Sequence, residues 1–185
     1  MKFTLSHFDS PLGELSVVTD DKDLLRGLMF SDHHVQLHRA LRDHYGNFDL
    51  EDGAAPAHIT GALQRYFEGE PSAVDGIVTM TGGTDFQRQV WAALRWIPAG
   101  KTTSYGELAR SLGYDDPRMA IDIGAANAAN PIAIVIPCHR VVAKNGDIKG
   151  YAWGVQRKRW LLEHEQTQPQ TQSPRPQQAL RLPGF

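Results

Sequence analysis

The sequence predicts an α/β (α+β) protein of two domains, a mixed α/β domain followed by a mainly helical domain of helix-turn-helix type. Three observations carry this. The first thirty residues break into short strand-like runs separated by turn signals. Gly82-Gly83 divides that region from one with helical periodicity. Beyond the glycines, two helical stretches joined by a short turn have the outline of a helix-turn-helix unit.

Along the first domain, Lys2–Phe8 and Glu14–Thr19 flank a Ser-Pro-Leu-Gly turn, and the turn Asp20–Asp23 leads to a third strand, Leu24–Phe30. Leu37, Leu41 and Tyr45 at i+4 spacing predict a helix over Asp32–Tyr45, stopped by Gly46. Asn47–Ala57 reads as loop, Ile59–Phe67 as a short amphipathic helix and Gly76–Met80 as a short strand. The boundary at Gly82-Gly83 gives a first domain over residues 1–81 and a second over 82–165. Thr84 with Gln87 forms a capping box, and Phe86, Val90 and Leu94 give the following helix one apolar face, ended by Pro98-Ala99-Gly100. Ser104 with Glu107 opens a second helix, which stops at Gly113. Asp116-Pro117 starts a third, with proline at its first position, running to about Ala129. Asn130-Pro131 breaks it. The apolar run Ile132–Ile136 predicts a buried strand, Val141–Ala143 is extended, Asn145-Gly146 is a turn, and Val155–Glu165 is a closing helix. Residues 166–185, rich in Gln, Pro, Thr and Ser, predict a disordered tail.

Composition limits the function classes. Hydrophobic residues are 41% and charged residues 22% of 185, as in ordinary globular proteins. No apolar run is long enough to cross a bilayer and Met1–Ser10 has no signal-like core, so the expectation is a cytoplasmic protein with no membrane partner. A single cysteine excludes an intrachain disulfide and an all-cysteine zinc site. The net charge of -2 hides an asymmetry: residues 1–84 carry six Lys/Arg against thirteen Asp/Glu, whereas 85–165 carry eleven against eight. A phosphate backbone senses the local field, so a nucleic-acid surface belongs to the second half.

Ile136-Pro137-Cys138-His139-Arg140 is the chemical focus. A thiolate is a strong nucleophile, but a free thiol near neutral pH needs a base to take its proton. His139 is adjacent, and Arg140 brings positive charge. In a regular strand neighbouring side chains point to opposite faces, so His139 serves Cys138 only if the chain bends after Pro137 or water bridges the two. By themselves these residues favour a buried structural cysteine, and spacing alone does not overturn that reading.

The linked pattern is more specific. Pro-Cys-His-Arg-Val-Val lies between Asn130-Pro131 and Gly150-Tyr151-Ala152-Trp153-Gly154. Upstream stand Phe86-Gln87-Arg88-Gln89-Val90-Trp91, Ile97-Pro98-Ala99-Gly100-Lys101 and Ser104-Tyr105-Gly106-Glu107-Leu108-Ala109; downstream is Arg157-Lys158-Arg159-Trp160-Leu161-Leu162-Glu163-His164-Glu165. With Ser10-Pro11-Leu12-Gly13, these motifs resemble the O6-alkylguanine-DNA alkyltransferase family over roughly residues 1–165. The resemblance implies a ribonuclease H-like first domain, a winged-helix-like second domain, and a monomer that acts on double-stranded DNA containing O6-alkylguanine. It implies single-turnover transfer of the alkyl group to Cys138, from guanine O6 and also from thymine O4. His139 would take the thiol proton, through water, and Glu165 would orient His139. Tyr105 would donate to guanine N3, and Asn130 would tie the two halves of the site together. Tyr151 and Trp153 would line the base pocket. The helix from Pro117 would lie in the minor groove and help flip the base, with Arg118, Ile121, Ala125, Asn127 and Arg140 as DNA or base contacts and Gly124, Ala125, Ala126, Ala128 and Ala129 allowing close approach. No metal and no organic cofactor are implied; His33, His34 and His38 read as a solvent-facing cluster.

Two departures stand out. The family's base-replacing arginine corresponds to Ile121, and Asp122 adds negative charge beside it, after a two-residue extension near Tyr114-Asp115. Arg118, one turn earlier, or Ile121 itself as an apolar wedge are the candidate substitutes. Weaker DNA binding and slower repair are expected. Trp153 replaces a glycine common in the family, which predicts a narrow pocket favouring methyl over benzyl-sized lesions. Two other classes remain in view: a sensor or regulator that binds DNA without chemistry, against which Cys138 speaks, and a cysteine hydrolase, which would turn over.

Overall fold

The computed structural model describes residues 1–148 and 150–166. The expected tail lies outside the described residues, except Gln166, which ends the last helix.

Strands β1 (Lys2–Phe8), β2 (Leu15–Thr19), β3 (Leu25–Phe30) and β4 (Asp49–Asp52) form one sheet in the order β3-β2-β1-β4. β1 and β3 flank β2 antiparallel, and β4 runs parallel to β1. β2 is buried at every position because both its faces are covered, which is why Leu-Ser-Val-Val-Thr lacks the alternation of a half-exposed strand. β4 falls in the stretch expected to be loop. Its three carboxylates lower strand propensity, but pairing supplies what propensity lacks: Leu50 sits opposite Phe3, and Lys2 reaches Glu51. Charge on an edge strand also discourages further pairing.

A 3-10 turn (Ser31–His33) leads into helix α1 (His34–Tyr45), which buries Leu37 and Leu41 as the periodicity requires. Helix α2 (Ala57–Phe67) buries Ile59, Ala62, Leu63 and Tyr66. Pro71–Val74 adds an unanticipated 3-10 turn. The strand expected over Gly76–Met80 reduces to one parallel bridge between Leu25 and Thr79, held by Leu25 N–H to Val78 O (3.1 Å) and Met80 N–H to Leu25 O (3.0 Å).

A second bridge joins Leu28 to Ile132, with Leu28 N–H donating to Pro131 O (3.0 Å) and Ala133 N–H to Leu28 O (2.7 Å). The outer edge of β3 is therefore covered partly by a segment from the C-terminal half, which satisfies its backbone groups and fixes residues 130–136 against the sheet.

The C-terminal half contains α3 (Asp85–Leu94), β5 (Thr103–Ser104), α4 (Tyr105–Ser111), α5 (Met119–Ala128), β6 (Val141–Val142) and α6 (Val155–Gln166). β5 and β6 form a short parallel pair. Both expected capping boxes are present, at Thr84/Gln87 and Ser104/Glu107. Gly83 has φ +85°, and a Cβ there would stand 2.8 Å from the Trp91 ring, so the boundary glycine is required twice over. α4 and α5 form the helix-turn-helix pair. α3 braces it: Trp91 Nε1–H donates to Ala126 O at 2.8 Å, and the Tyr114 hydroxyl reaches Gln89 at 3.1 Å.

Two further expectations need correction. α5 begins at Met119, not at Pro117, because Asp116 accepts from the Arg118 N–H with its carboxylate (2.9 Å) and from the Met119 N–H with its carbonyl (3.0 Å), holding the intervening residues in a turn. Ile132–Ile136 is wholly buried but is not a strand. Ile134 adopts φ +67°, an expensive conformation for a β-branched residue, and the segment folds through tight turns. The reason is Asn130, whose amide replaces the missing ladder. Its Oδ1 accepts from Ile132 N–H (3.0 Å) and its Nδ2 donates to Ile132 O (3.0 Å) and Ile136 O (2.9 Å).

Candidate active site

Cys138 begins a single 3-10 turn, Cys138–Arg140, that follows Pro137. This turn supplies the bend after Pro137 on which help from His139 depends. The thiol is 2% exposed, and its Sγ accepts from Asn130 Nδ2 at 3.1 Å. Burial pushes its pKa up to about 11. The Asn130 amide and the Lys158 ammonium pull in the other direction without cancelling the effect.

His139 is fully buried, and its Nε2 meets Glu165 Oε1 at 2.7 Å. Burial lowers its pKa, assisted by the Arg140 and Lys158 charges, and Glu165 opposes the shift, so the imidazole is neutral at neutral pH. Burial alone would raise the Glu165 carboxyl. His139 and Arg140 outweigh it and hold the group well below the usual carboxylate range. With Glu165 ionised, the proton of the neutral ring sits on Nε2. That leaves Nδ1, buried and without a partner among the described residues, as the ring's acceptor.

Arg140 is a correction. Expected as a DNA contact, it is 2% exposed. Its Nε and Nη2 reach the two Glu165 oxygens at 2.9 Å each, and Nη1 donates to Ile97 O at 2.6 Å. A guanidinium so engaged cannot reach a phosphate; it fixes Glu165. Asn127 is a second correction: it points inward, with Nδ2 3.4 Å from Cys138 O and Oδ1 unpartnered among the described residues.

Tyr105 opens α4 half-buried, close enough to Cys138 for the thiolate charge to add to the burial that raises its phenol pKa. The face of α5 at Gly124 packs on its ring. Tyr151 and Trp153 meet edge to face with centroids 5.2 Å apart. The Tyr151 phenol lies beside Sγ without a well-formed hydrogen bond to any described residue. Trp153 is buried against Phe30, and its carbonyl accepts from Arg157. Arg157 in turn bridges Leu12 O in the Ser-Pro-Leu-Gly turn and Asp32, so the N-terminal half buttresses this wall. A cleft of about 800 Å³ lined by residues of α1 and α5 reaches Asn130 and Trp153, but Cys138, Tyr105 and Tyr151 do not line it.

On α5, Ile121 is 75% exposed, and Asp122, Ala125, Ala128 and Ala129 share its open side. Gly124 and Ala126 face inward, so the small-residue stripe divides between packing and surface. Arg118 is exposed, but its guanidinium lies on the Asp116 carboxylate at 2.7 Å. Of the three histidines, His34 and His38 are exposed on α1, and His33, half-buried in the preceding 3-10 turn, borders the cleft. No metal-binding cluster occurs among the described residues.

Sequence reasoning missed Lys158 and Tyr66. Lys158 is buried, with Nζ donating to Val141 O (2.7 Å) and Gly150 O (3.1 Å). The Tyr66 hydroxyl of α2 donates to Glu165 Oε1 at 2.9 Å. On α6 the helical period puts Lys158 and Glu165 on the same face as Leu161 and Leu162, a signal that could have marked both as internal.

Comparison with known proteins agrees with this geometry. Residues 3–78 match the ribonuclease-like domain of the 6-O-methylguanine DNA methyltransferase family, and residues 85–167 match its DNA binding domain. The methylated-DNA–protein-cysteine methyltransferase of Salmonella typhimurium is 47% identical over 158 residues, 84% of this chain and 91% of that protein. The protein of the same name from Mycobacterium tuberculosis is 40% identical over 159 residues, covering 86% and 90%. The crystal structure of the M. tuberculosis O6-methylguanine methyltransferase superposes with a TM-score of 0.72 at 34% identity, covering 92% of this chain and 96% of that one. A structure of the M. tuberculosis OGT in complex with DNA gives 0.70, with coverage of 90% and 93%. The chain belongs to the 6-O-methylguanine DNA methyltransferase family.

Proposed function

We propose that this protein repairs DNA by moving an alkyl group from O6 of guanine onto its own Cys138, once per molecule. The observation that carries the reading is a sole, buried cysteine sharing one turn with a histidine whose Nε2 is tied to an ionised carboxylate, leaving Nδ1 to receive the thiol proton. As the S–C bond forms, the C–O6 bond breaks and its electron pair passes to guanine. Tyr105 donates to the guanine ring nitrogen N3 and lowers the cost of that charge. Asn130 holds the Cys138 turn to the end of α5, and Tyr151 and Trp153 flank the base. The product is a stable thioether, so the protein does not turn over.

DNA is the partner. The target base must leave the stack to reach a thiol this deep, and α5 presents Ile121, Ala125 and Ala128 toward the duplex for that step. Arg118, released from Asp116, would supply a cation one turn before Ile121. Division of the chain at residues 81 and 82 belongs to the same reading and is supported by the gap between the two matched segments. No described helix is long and apolar enough to cross a membrane. We place the protein in the cytoplasm, acting as a monomer.

Intact-mass spectrometry after mixing with duplex DNA bearing O6-methylguanine tests this. One methyl replacing one proton, mapped to the peptide with Cys138, is expected. An unmodified protein, a methyl on another residue, or repeated turnover overturns it.

A further inference from the structure

The proposed reaction draws its named groups from the C-terminal half, yet one donor to the Glu165 carboxylate comes from the other half of the chain. Oε1 receives His139 Nε2 at 2.7 Å, Arg140 Nη2 at 2.9 Å and the Tyr66 hydroxyl at 2.9 Å; Oε2 receives Arg140 Nε. The imidazole and Arg140 Nη2 already take both lone pairs of Oε1. A phenol added to the same oxygen that holds His139 therefore bears on how that oxygen treats the imidazole. The backbone of Tyr66 is fastened too: its carbonyl lies 2.7 Å from His164 Nε2, next to Glu165 in α6.

We propose that Tyr66 is a positioning residue for the His139–Glu165 pair, making α2 of the N-terminal half part of the alkyl-transfer machinery. It acts through Glu165 and touches neither thiol nor base. Its hydroxyl fixes the plane of the carboxylate and takes up part of the charge on Oε1, so the oxygen orients Nε2–H without holding the imidazole as a permanent cation. Burial, and then the facing carboxylate, hold the Tyr66 phenol well above its usual pKa, so it remains a donor throughout the working range. The groups facing His139 are Glu165 and Lys158 from α6, Arg140 from its own turn, and Tyr151 from the following loop. Among the described residues, Tyr66 is the one group from the N-terminal half that this network engages by a side-chain hydrogen bond.

The inference rests on the alkyl-transfer reading, and the test separates the two. Single-turnover methyl transfer from O6-methylguanine duplex is followed against pH for the wild-type protein, Tyr66→Phe and Tyr66→Leu. Phenylalanine keeps the ring, the packing and the His164 contact and removes only the hydroxyl. Tyr66→Phe should fold, slow the transfer about tenfold at its optimum, and move the acid limb of the rate profile to higher pH, since Oε1 then stabilises the imidazolium more strongly. Tyr66→Leu should lose thermal stability as well. A Tyr66→Phe profile that superimposes on wild type, or a rate loss without movement of the limb, overturns the proposal. A wild-type protein that takes up no methyl overturns the underlying reading, and the positioning role with it.

Discussion

Replacing Asn130 by alanine removes four hydrogen bonds from a buried site, and the structure indicates how much each matters. The Ile132 N–H has Asn130 Oδ1 as its acceptor and would be orphaned, at about 1–3 kcal/mol. The Ile132 and Ile136 carbonyls keep a second donor each, from Ile136 N–H at 3.3 Å and Cys138 N–H at 2.8 Å, so their loss is smaller. With the small cavity, the total comes to about 3–4 kcal/mol, or roughly 6–16 °C in Tm for a chain of this size. The thiol also loses its amide donor, so its pKa rises beyond about 11 and transfer slows by at least about tenfold. Asn127→Ala is the control. It is another buried asparagine on the same stretch of chain, but its side chain makes one long bond and leaves its Oδ1 unpartnered among the described residues, so its removal should cost under about 1 kcal/mol. Scanning calorimetry with single-turnover kinetics on both variants decides the matter. Equal melting losses, or Asn130→Ala melting within about 2 °C of wild type, would refute the argument that the Asn130 amide substitutes for a strand ladder.

Ile121→Arg should tighten binding to duplex DNA by about tenfold and steepen its salt dependence by about one cation's worth, because the side chain is exposed on α5 and its neighbour Arg118 is held by Asp116; an unchanged titration and unchanged repair rate would count against the assigned face. Wild-type protein should repair methyl lesions faster than benzyl ones. Trp153→Gly should narrow that gap while destabilising the fold by about 3–5 kcal/mol, since the indole is buried against Phe30 and Tyr151; comparable wild-type rates on both lesions would dismiss the narrow pocket. His139 and Glu165 both have folded pKa values below their unfolded ones, so the unfolded chain binds more protons in acid. Stability should be complete near neutral pH, decline as pH falls through about 6.5, and decline further through the carboxylate range; a Tm that stays flat from about pH 7.5 to 5 would exclude this.

Local chemistry in the sequence was enough to place most elements. The capping boxes at Thr84 and Ser104 and the i+4 face of α1 need no partner to be recognised. β4 and Ile132–Ile136 were misread because their state depends on distant groups: β4 is a strand because β1 lies beside it, and the apolar run is not one because Asn130 serves its backbone. The site divides in the same way. Cys138, His139 and Asn130 lie within ten residues and read as a unit, whereas the Tyr66 donor to Glu165 comes from 99 residues away. The expectation that Arg140 contacts DNA puts its charge at the surface. Yet it sits inside Ile-Val-Ile-Pro-Cys-His-Arg-Val-Val, and a cation in such a run requires a buried counter-charge. Charge counts mislead for the same reason: Arg140 and Lys158 are internal and Arg118 is on Asp116, so less of the positive excess in residues 85–165 faces outward than the sequence suggests.

A thiol raised to about pKa 11 looks ill suited to nucleophilic work, since roughly one molecule in ten thousand is thiolate at pH 7. For a reagent used once the arrangement is coherent. An exposed thiolate would react with any passing electrophile, and each such event would destroy a protein. Burial suppresses that loss by keeping the proton on sulfur and excluding solvent. The same burial keeps His139 neutral, with Nδ1 as an open acceptor, while Glu165 stays ionised and ready to stabilise the imidazolium. Deprotonation is then favourable only as the alkyl carbon arrives and sulfur begins to give up its charge. Asn130 and Lys158 offset the burial only in part, and full compensation would leave a standing thiolate. On the proposed reaction, the site would select its substrate through the coupling of proton transfer to attack as well as through the shape of the pocket.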